Sequence, residues 1–427
     1  MFDKFHDECG VFAIYGHPEA SKVANLGLHA LQHRGQESAG IASLHENEII
    51  CHKAMGHVAD IFTVPVLAEL KGEAAIGHTR YSTAGDTVVL NAQPFSVRCN
   101  KGPIAVAHNG NITNAVNLRN ELEQDGSIFQ ATSDTEVILH LVARSKQKTV
   151  NDRFIEALRQ IEGAYSLVVI AEGKLMGVRD PYGVRPLSLG KLGDAYVLAS
   201  ETCAFDIIGA EYVREIEPGE LVTIDDTGIS SQKPFETTQS RFCIFEYVYF
   251  ARPDSHVEGR SVYEARKRIG AELAEEAPTP GADLVVPVPD SGVPSAIGYA
   301  QAAGLPFDLG IIRNHYVGRT FIEPTDQIRH LGVKLKHNAN ADVIKGKSIV
   351  LVDDSIVRGT TSRKIVEMLR QAGAKEIHMR ISCPPTKYSC FYGIDTPTND
   401  ELLALSLIHI SEPTRLRRIS YAVFCLK

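Results

Sequence analysis

Ile349, Val350, Leu351 and Val352 form an unbroken apolar run, and with the residues directly after it this run narrows the possible folds more than any other stretch of the chain. Such a run reads as a strand buried on both faces of a parallel sheet. Asp353 and Asp354 stand at its carboxyl end, and Ser355, Ile356, Val357, Arg358, Gly359, Thr360 and Thr361 lead into a helical pattern. In an open α/β sheet, ligands bind outside the carboxyl ends of the strands. The free N–H groups at a helix N-terminus favour a phosphate. Two adjacent carboxylates there can accept hydrogen bonds from ribose hydroxyls, or help hold a divalent cation through oxygen. A lone Asp pair would more simply be a solvated turn. Arg358, Gly359, Thr360 and Thr361 directly after it favour a binding loop.

The remaining pattern divides the 427 residues in two, as expected for a chain too long for one ordinary core. Residues 9–235 mix short strands with amphipathic helices. Strands are expected at Val11–Tyr15, Ala75–Tyr81, Ile104–His108, Tyr165–Ile170 and Ala195–Ser200, and helices at Ala20–Gln32, Val116–Glu123 and Thr135–Ala143. A polar segment, Gln232–Ser240, contains Pro234 and reads as the connection. Beyond it, residues 236–404 alternate strand and helix: Leu284–Val288, Gly292–Ala303, Phe307–Ile312, Ile349–Val352, Thr361–Gln371. That alternation argues for a parallel sheet. Residues 319–345 are polar and read as a mobile loop or lid, in which Arg319 and Lys334 are cations able to reach a phosphate ligand.

Composition excludes several classes. A hydrophobic content of 44% and a charged content of 22% are those of a globular protein. A net charge of −8 argues against nucleic-acid binding. No apolar run approaches the roughly 20 residues needed to span a bilayer. Met1–Glu8 lacks the core of a secretory signal. Eight cysteines without disulfide-like spacing point to a reducing, cytoplasmic setting.

Five further segments carry chemical potential. Cys9, Gly10, Val11 and Phe12 offer a nucleophile ahead of a strand. His33, Arg34, Gly35, Gln36 and Glu37 follow a helix. Gly77–Thr83 ends a strand, and His108, Asn109, Gly110 and Asn111 end another. Ser133, Asp134, Thr135 and Glu136 open a helix. Each has a plainer account. A lone cysteine is most often buried structure, Asp134 could cap its helix, and Asn109-Gly110 is a common turn.

Together these segments resemble the glutamine site of N-terminal-nucleophile amidotransferases. Val350–Thr361 resembles the phosphoribosyl-pyrophosphate motif of type I phosphoribosyltransferases. The two halves in this order, from about Glu8 to about Leu403, resemble the amidophosphoribosyltransferase family, which opens purine biosynthesis. The resemblance implies an α/β architecture: an αββα N-terminal-nucleophile sandwich over 9–235, then a type I phosphoribosyltransferase domain with a parallel sheet over 236–404. Cys9 would be the nucleophile, using its own α-amine as base once residues 1–8 are removed as a propeptide. Arg80 would pair with the glutamine α-carboxylate and Asp134 with its α-ammonium, while Asn109 and Gly110 would form an oxyanion hole. The proposed chemistry needs no histidine base, so His78 and His108 read as packing residues. On the donor side, Asp353, Asp354, Ser355, Arg358, Gly359, Thr360 and Thr361 would hold phosphoribosyl pyrophosphate, with Mg2+ near Ser291, Asp353 and Asp354. Asp290-Ser291-Gly292 would lie by the pyrophosphate.

The resemblance also implies a homotetramer inhibited by purine nucleotides. Within the family, Cys243 and Cys390 match two ligands of a [4Fe–4S] cluster in a Bacillus-type subgroup that also carries a propeptide. The other two ligands would come from a Cys-x-x-Cys segment that this chain lacks. Leu405–Arg415 and Ile419–Leu426 resemble the conceptual translation of a sequencing adapter. Residues 405–427 are therefore expected to be a non-native tail, with the native frame ending near Ala404. Two other functions fit parts of the pattern. A non-catalytic regulator that binds the sugar donor would leave Cys9 and its company without a purpose. An amidotransferase with another acceptor would leave the 350–361 motif without one.

Overall fold

The computed structural model describes residues 9–81, 87–236, 238–314, 337–357, 359–386, 388–394 and 402. The propeptide expectation for 1–8, most of the 319–345 loop with Arg319 and Lys334, the side chain of Arg358 and the 405–427 tail lie outside these residues.

The first half is built on two antiparallel sheets. One has seven strands, in the order Glu211–Glu215, Ser188–Leu192, Ala195–Ala199, Gly10–Tyr15, Ala74–Arg80, Ser38–His45, Glu48–Met55. The other has six, in the order Gly228–Gln232, Leu221–Asp225, Lys174–Arg179, Gly163–Ala171, Gly102–Ile112, Phe95–Cys99. The period-2 alternation of strand side chains sorts the core into layers. In Gly10–Tyr15, Val11 and Ala13 face the other sheet, while Phe12 and Ile14 face the Ala20–Ala30 helix. In Gly102–Ile112, Ala105 and Ala107 face the first sheet. Ile104 and Val106 face the helices Ala115–Gln124, Glu136–Arg144 and Val150–Leu158. The order is helix, sheet, sheet, helix. The layer between the sheets mixes alanines (Ala13, Ala42, Ala74, Ala105, Ala107) with larger residues such as Ile76, Ile170, Leu198 and Ile224.

The second half holds a parallel sheet in the order Leu284–Pro287, Ser348–Asp353, Glu376–Ile381. Val285, Val350 and Val352 pack against the helices Val262–Glu276 and Val293–Ala303. Leu284, Val286, Ile349 and Leu351 pack against Thr360–Gln371 on the opposite face. This two-sided burial accounts for the unbroken apolar run. The two helices on the first face touch backbone to backbone: a Cβ at Gly270 would fall 1.9 Å from the Ser295 carbonyl oxygen, and one at Gly298 would fall 1.9 Å from that of Lys267.

Three expectations are corrected. The strand expected at Phe307–Ile312 is a single parallel bridge from Phe307 to Val285, then a separate strand, Ile311–Arg313. The Asp308–Gly310 turn, with Gly310 N–H donating to Asp308 O at 3.1 Å, breaks the pairing. The end of the expected 319–345 loop is ordered structure: His337–Ala339 pairs antiparallel with Ile311–Arg313, and a short helix spans Ala341–Ile344. Asn109 and Gly110 do not follow a strand. They lie inside Gly102–Ile112, which pairs with Gly163–Ala171 through to Ile112.

Candidate active site

Cys9 sits immediately before the central strand of the seven-stranded sheet and is buried. Its Sγ donates to the Tyr81 carbonyl at 3.5 Å, and its own carbonyl accepts from Arg34 Nε at 3.0 Å. Gly10 pairs with Thr79 across the ladder, which sets Cys9 beside Arg80 at the end of Ala74–Arg80. Arg80 is buried and stands 3.9 Å from Glu37.

The second sheet reaches the same place through histidines. Val11 pairs with His78, whose Nε2 lies 3.0 Å from the His108 carbonyl oxygen. Asn109 and Gly110 come next on that strand. His108 is fixed by Gln93, whose side-chain oxygen accepts from its N–H at 2.8 Å, and by Thr135 Oγ1 at 3.1 Å from Nδ1. Burial pushes the pKa of His78 down to about 3 and lowers that of His108, against the pull of Asp134. Two neutral, packed imidazoles agree with their assignment as packing residues.

Asp134 does not cap its helix. Its Oδ2 accepts from the Ile112 N–H at 2.8 Å, so the carboxylate is tied to the strand that carries Asn109 and Gly110. Asn109 is 1% exposed, yet neither its Nδ2 nor its Oδ1 has a hydrogen-bond partner among the described residues. Buried amides are rarely left so, and one that is calls for a ligand or another explanation. Gly110 has φ 145°, and a Cβ there would lie 2.0 Å from the Ala164 carbonyl oxygen. Only glycine lets this backbone run so close to its neighbour. Cys9, Arg80, Asn109, Gly110 and Asp134 thus gather at one edge of the sandwich, from two sheets and a helix start.

At the donor end, Asp353 and Asp354 close the central parallel strand and are buried. Asp353 Oδ1 accepts from Asp354 N–H at 2.9 Å, and Asp354 Oδ1 accepts from Ser355 N–H at 2.8 Å. The Ser355 hydroxyl is buried without a partner among the described residues. Gly359, at φ 77°, turns the chain into the Thr360–Gln371 helix. The Ser291–Gly292 turn packs against the same strand end: a Cβ at Gly292 would be 2.8 Å from the carbonyl oxygens of Val288 and Val352 and 3.4 Å from Asp353 Cα. The turn that carries Ser291 is thus brought to the strand end of Asp353 and Asp354, while Asp290 pairs with Arg313. These donors are all oxygen, which suits a hard cation such as Mg2+.

Cys243 and Cys390 pack against one small apolar cluster of Phe250, Val357, Ile394 and Leu402. Among the described residues no group of three or more His, Cys, Asp or Glu side chains could hold a metal ion. A four-thiolate cluster needs four ligands, so this pair does not fit one by itself.

Sequence reasoning missed several buried charges. Arg266, on Val262–Glu276, donates to the carbonyls of Tyr247 at 2.6 Å and Ala251 at 2.8 Å. Burial lowers its pKa and the nearby Asp354 charge opposes that shift. Glu201, Arg185 and Glu246 are also buried, at the contact between the halves. Glu246 had a signal: it is the one carboxylate in the apolar, aromatic run Phe242–Phe250.

Comparison with known proteins identifies both domains and the family. A glutamine amidotransferase domain family matches residues 78–206, and a phosphoribosyl transferase domain family matches residues 261–390. The amidophosphoribosyltransferase of Rhizobium etli is 55% identical over 94% of this chain and 82% of its own length. That of Bacillus subtilis is 50% identical over 94% of this chain and 84% of its own. A solved structure described as the allosteric regulatory enzyme of purine biosynthesis superposes with a TM-score of 0.89, at 51% identity, over 93% of this chain and 86% of the other. The Bacillus subtilis enzyme complexed with ADP and GMP superposes with a TM-score of 0.88, at 50% identity, over 93% of this chain and 87% of the other. At this identity and coverage, with both domains in place, the chain belongs to the amidophosphoribosyltransferase family.

Proposed function

We infer that the two sites act in series on glutamine and a phosphoribosyl donor. The reaction is that of the family, the first step of purine biosynthesis: glutamine, 5-phosphoribosyl 1-pyrophosphate and water give 5-phosphoribosylamine, glutamate and pyrophosphate.

The observation that carries the glutamine half is the buried Asn109 amide, unpartnered among the described residues, beside Gly110 on the strand that His78 ties to the Cys9 strand. In our reading, the Cys9 thiolate attacks the carboxamide carbon of glutamine, with its own α-amine taking the proton. Arg80 and Asp134 hold the α-carboxylate and α-ammonium. Asn109 Nδ2 and the Gly110 N–H receive the charge that develops on the amide oxygen, an environment most effective where water is excluded. Ammonia leaves with the proton returned to it, and water cleaves the thioester to glutamate. This mechanism requires Cys9 to be the first residue of the active chain, so N-terminal sequencing of active protein should begin at Cys9. Full activity with Met1 retained contradicts it.

In the donor half, Asp353 and Asp354 are assigned to the ribose hydroxyls. The loop from Ser355 through Arg358, Gly359 and Thr360 to Thr361 is assigned to the 5′-phosphate, supported by its place at a helix N-terminus. Ammonia displaces pyrophosphate at the anomeric carbon. Magnesium, when bound, would neutralise pyrophosphate charge, with Ser291, Asp353 and Asp354 as the oxygen donors at hand. By family pattern alone, Cys243 and Cys390 are candidates for two of the four thiolates of a [4Fe–4S] cluster, which the pair does not complete by itself. Inhibition by purine nucleotides and a tetrameric assembly are proposed for this chain from the family resemblance, and a cytoplasmic setting from its eight scattered cysteines. Among the described residues no helix is long and apolar enough to cross a membrane.

Pyrophosphate release from the sugar donor tests the function directly. It should occur with glutamine and, independently, with ammonia. Release with neither would remove the donor assignment, and release with ammonia alone would remove the glutamine assignment.

A further inference from the structure

Arg34 holds the nucleophile and is itself held by both halves of the chain. Its Nε donates to the Cys9 carbonyl at 3.0 Å. Its Nη1 donates to Glu201 at 2.6 Å, and Nη1 and Nη2 together grip Glu246 at 2.9 and 2.8 Å. All three side chains are fully buried. Glu246 opens the donor half, in the short helical segment Glu246–Phe250. The same carboxylate faces a second buried cation, Arg185 Nη1, at 3.5 Å.

Arg185 leads to the other wall of the glutamine site. Its Nη2 donates to the Tyr392 carbonyl at 2.8 Å. On either side of Tyr392, Phe391 O accepts from Asn111 Nδ2 at 2.8 Å, and a Cβ at Gly393 would lie 3.2 Å from the Gly110 carbonyl carbon. One carboxylate therefore sits between the arginine on the nucleophile and the arginine that ties down the chain over Asn109-Gly110-Asn111.

Buried charges cost solvation, and hydrophobic replacements of similar volume are often as stable. A two-arginine, two-carboxylate network is thus a poor device for mere adhesion between domains. It is a good device for fixing direction, since a guanidinium gripping a carboxylate with two nitrogens has one geometry.

We propose that Glu246, a residue of the donor half, is a positioning residue for the glutamine half, aligning Cys9 through Arg34 and the Gly110 wall through Arg185. The glutamine site is then incomplete without the donor domain, so that glutamine is turned over efficiently only on a chain that can use the ammonia. This rests on the assignment of Cys9 as nucleophile.

The test uses the full chain and measures glutamine-dependent and ammonia-dependent synthesis side by side. Glu246→Gln keeps shape but loses the charge that holds both arginines. Misplacement of a reacting group by about 1 Å costs on the order of 100-fold. The kcat with glutamine should fall by about that factor, the KM for glutamine should stay within about threefold, and ammonia-dependent synthesis within about twofold. Glu246→Asp keeps the charge one methylene short; it should show the same split to a smaller degree, and it carries the test if Glu246→Gln does not fold. Unchanged glutamine kinetics in Glu246→Gln overturn the proposal, as does an equal loss of both activities, which marks a role in folding alone. If Cys9→Ala retains glutamine-dependent synthesis, the nucleophile assignment itself has failed. If Cys9→Ala abolishes it and Glu246→Gln is silent, only the positioning role has failed.

Discussion

Asn109 and Asp354 make opposite demands on their surroundings. Asn109 is a neutral amide buried with nothing among the described residues to bond. If it waits for an oxyanion, its removal should be felt in the transition state and little in the ground state. Asn109→Ala is expected to lower kcat for glutamine hydrolysis by about 100- to 1,000-fold, the usual cost of one oxyanion donor, with a much smaller change in KM. Steady-state kinetics with glutamine check this, and a change confined to KM contradicts it. Asp354 is instead a charge, buried at a strand end and close enough to Arg266 for each to feel the other's field. Asp354→Asn keeps the shape and removes the charge. Losing one charge-assisted hydrogen bond of about 1.5–3 kcal/mol should reduce donor use roughly 10- to 150-fold. Glutamine hydrolysis without donor should change little. The Asp353–Thr361 motif was legible in the sequence because strand, turn and helix start are all local. Glu246 was harder to find, because its partners Arg34 and Arg185 are distant in sequence and meet it only across the domain contact.

At the scale of elements, Gly102–Ile112 shows what local pattern could and could not give. Its apolar part reads as a strand, but His108, Asn109 and Gly110 read as its end, since polar residues and an Asn-Gly pair usually signal a turn. The ladder continues because Gly163–Ala171 supplies partners along the whole strand and His78, Gln93 and Thr135 satisfy the polar groups of His108. Asp134 was open to a helix-cap reading for the same reason: the Ile112 N–H that it accepts from belongs to a distant strand. Gly110→Ala should be costly at this scale. Positive φ for a non-glycine residue costs about 1–3 kcal/mol, and the added Cβ meets the Ala164 carbonyl oxygen at 2.0 Å. Chemical denaturation should show a lower midpoint; an unchanged midpoint contradicts the strand geometry. His78 predicts an acid response. Its ordinary value is 6.5 and burial takes it to about 3, so the unfolded chain binds the proton first as pH falls. Stability from this group is full above pH 6.5 and is lost as pH falls toward 3, with a slope of about 1.4 kcal/mol per pH unit. A His78→Gln variant that folds should show a shallower acid slope by about one proton, and an unchanged slope would place His78 in contact with water.

The whole molecule joins a sandwich that frees ammonia to a parallel-sheet domain that uses it, and the contact between them is charged and buried. Fold class and domain order were legible from the motifs. The αββα layering came from the family resemblance, because alternation within single strands shows mixed α and β but not which sheet stacks on which. The mixed alanine and aliphatic layer between the sheets, and the approach of Gly270 to Ser295 and of Gly298 to Lys267 between helices, settle those stackings only in three dimensions. The central claim is that one chain carries two separable chemistries. Crossing two variants in one assay of pyrophosphate release, with glutamine or ammonia as nitrogen source, tests it most directly. Cys9→Ala should lose glutamine-dependent release and retain release with ammonia, whereas Asp354→Asn should weaken both while leaving donor-free glutamine hydrolysis intact. Loss of ammonia-dependent release in Cys9→Ala, or full donor kinetics in Asp354→Asn, would contradict the account.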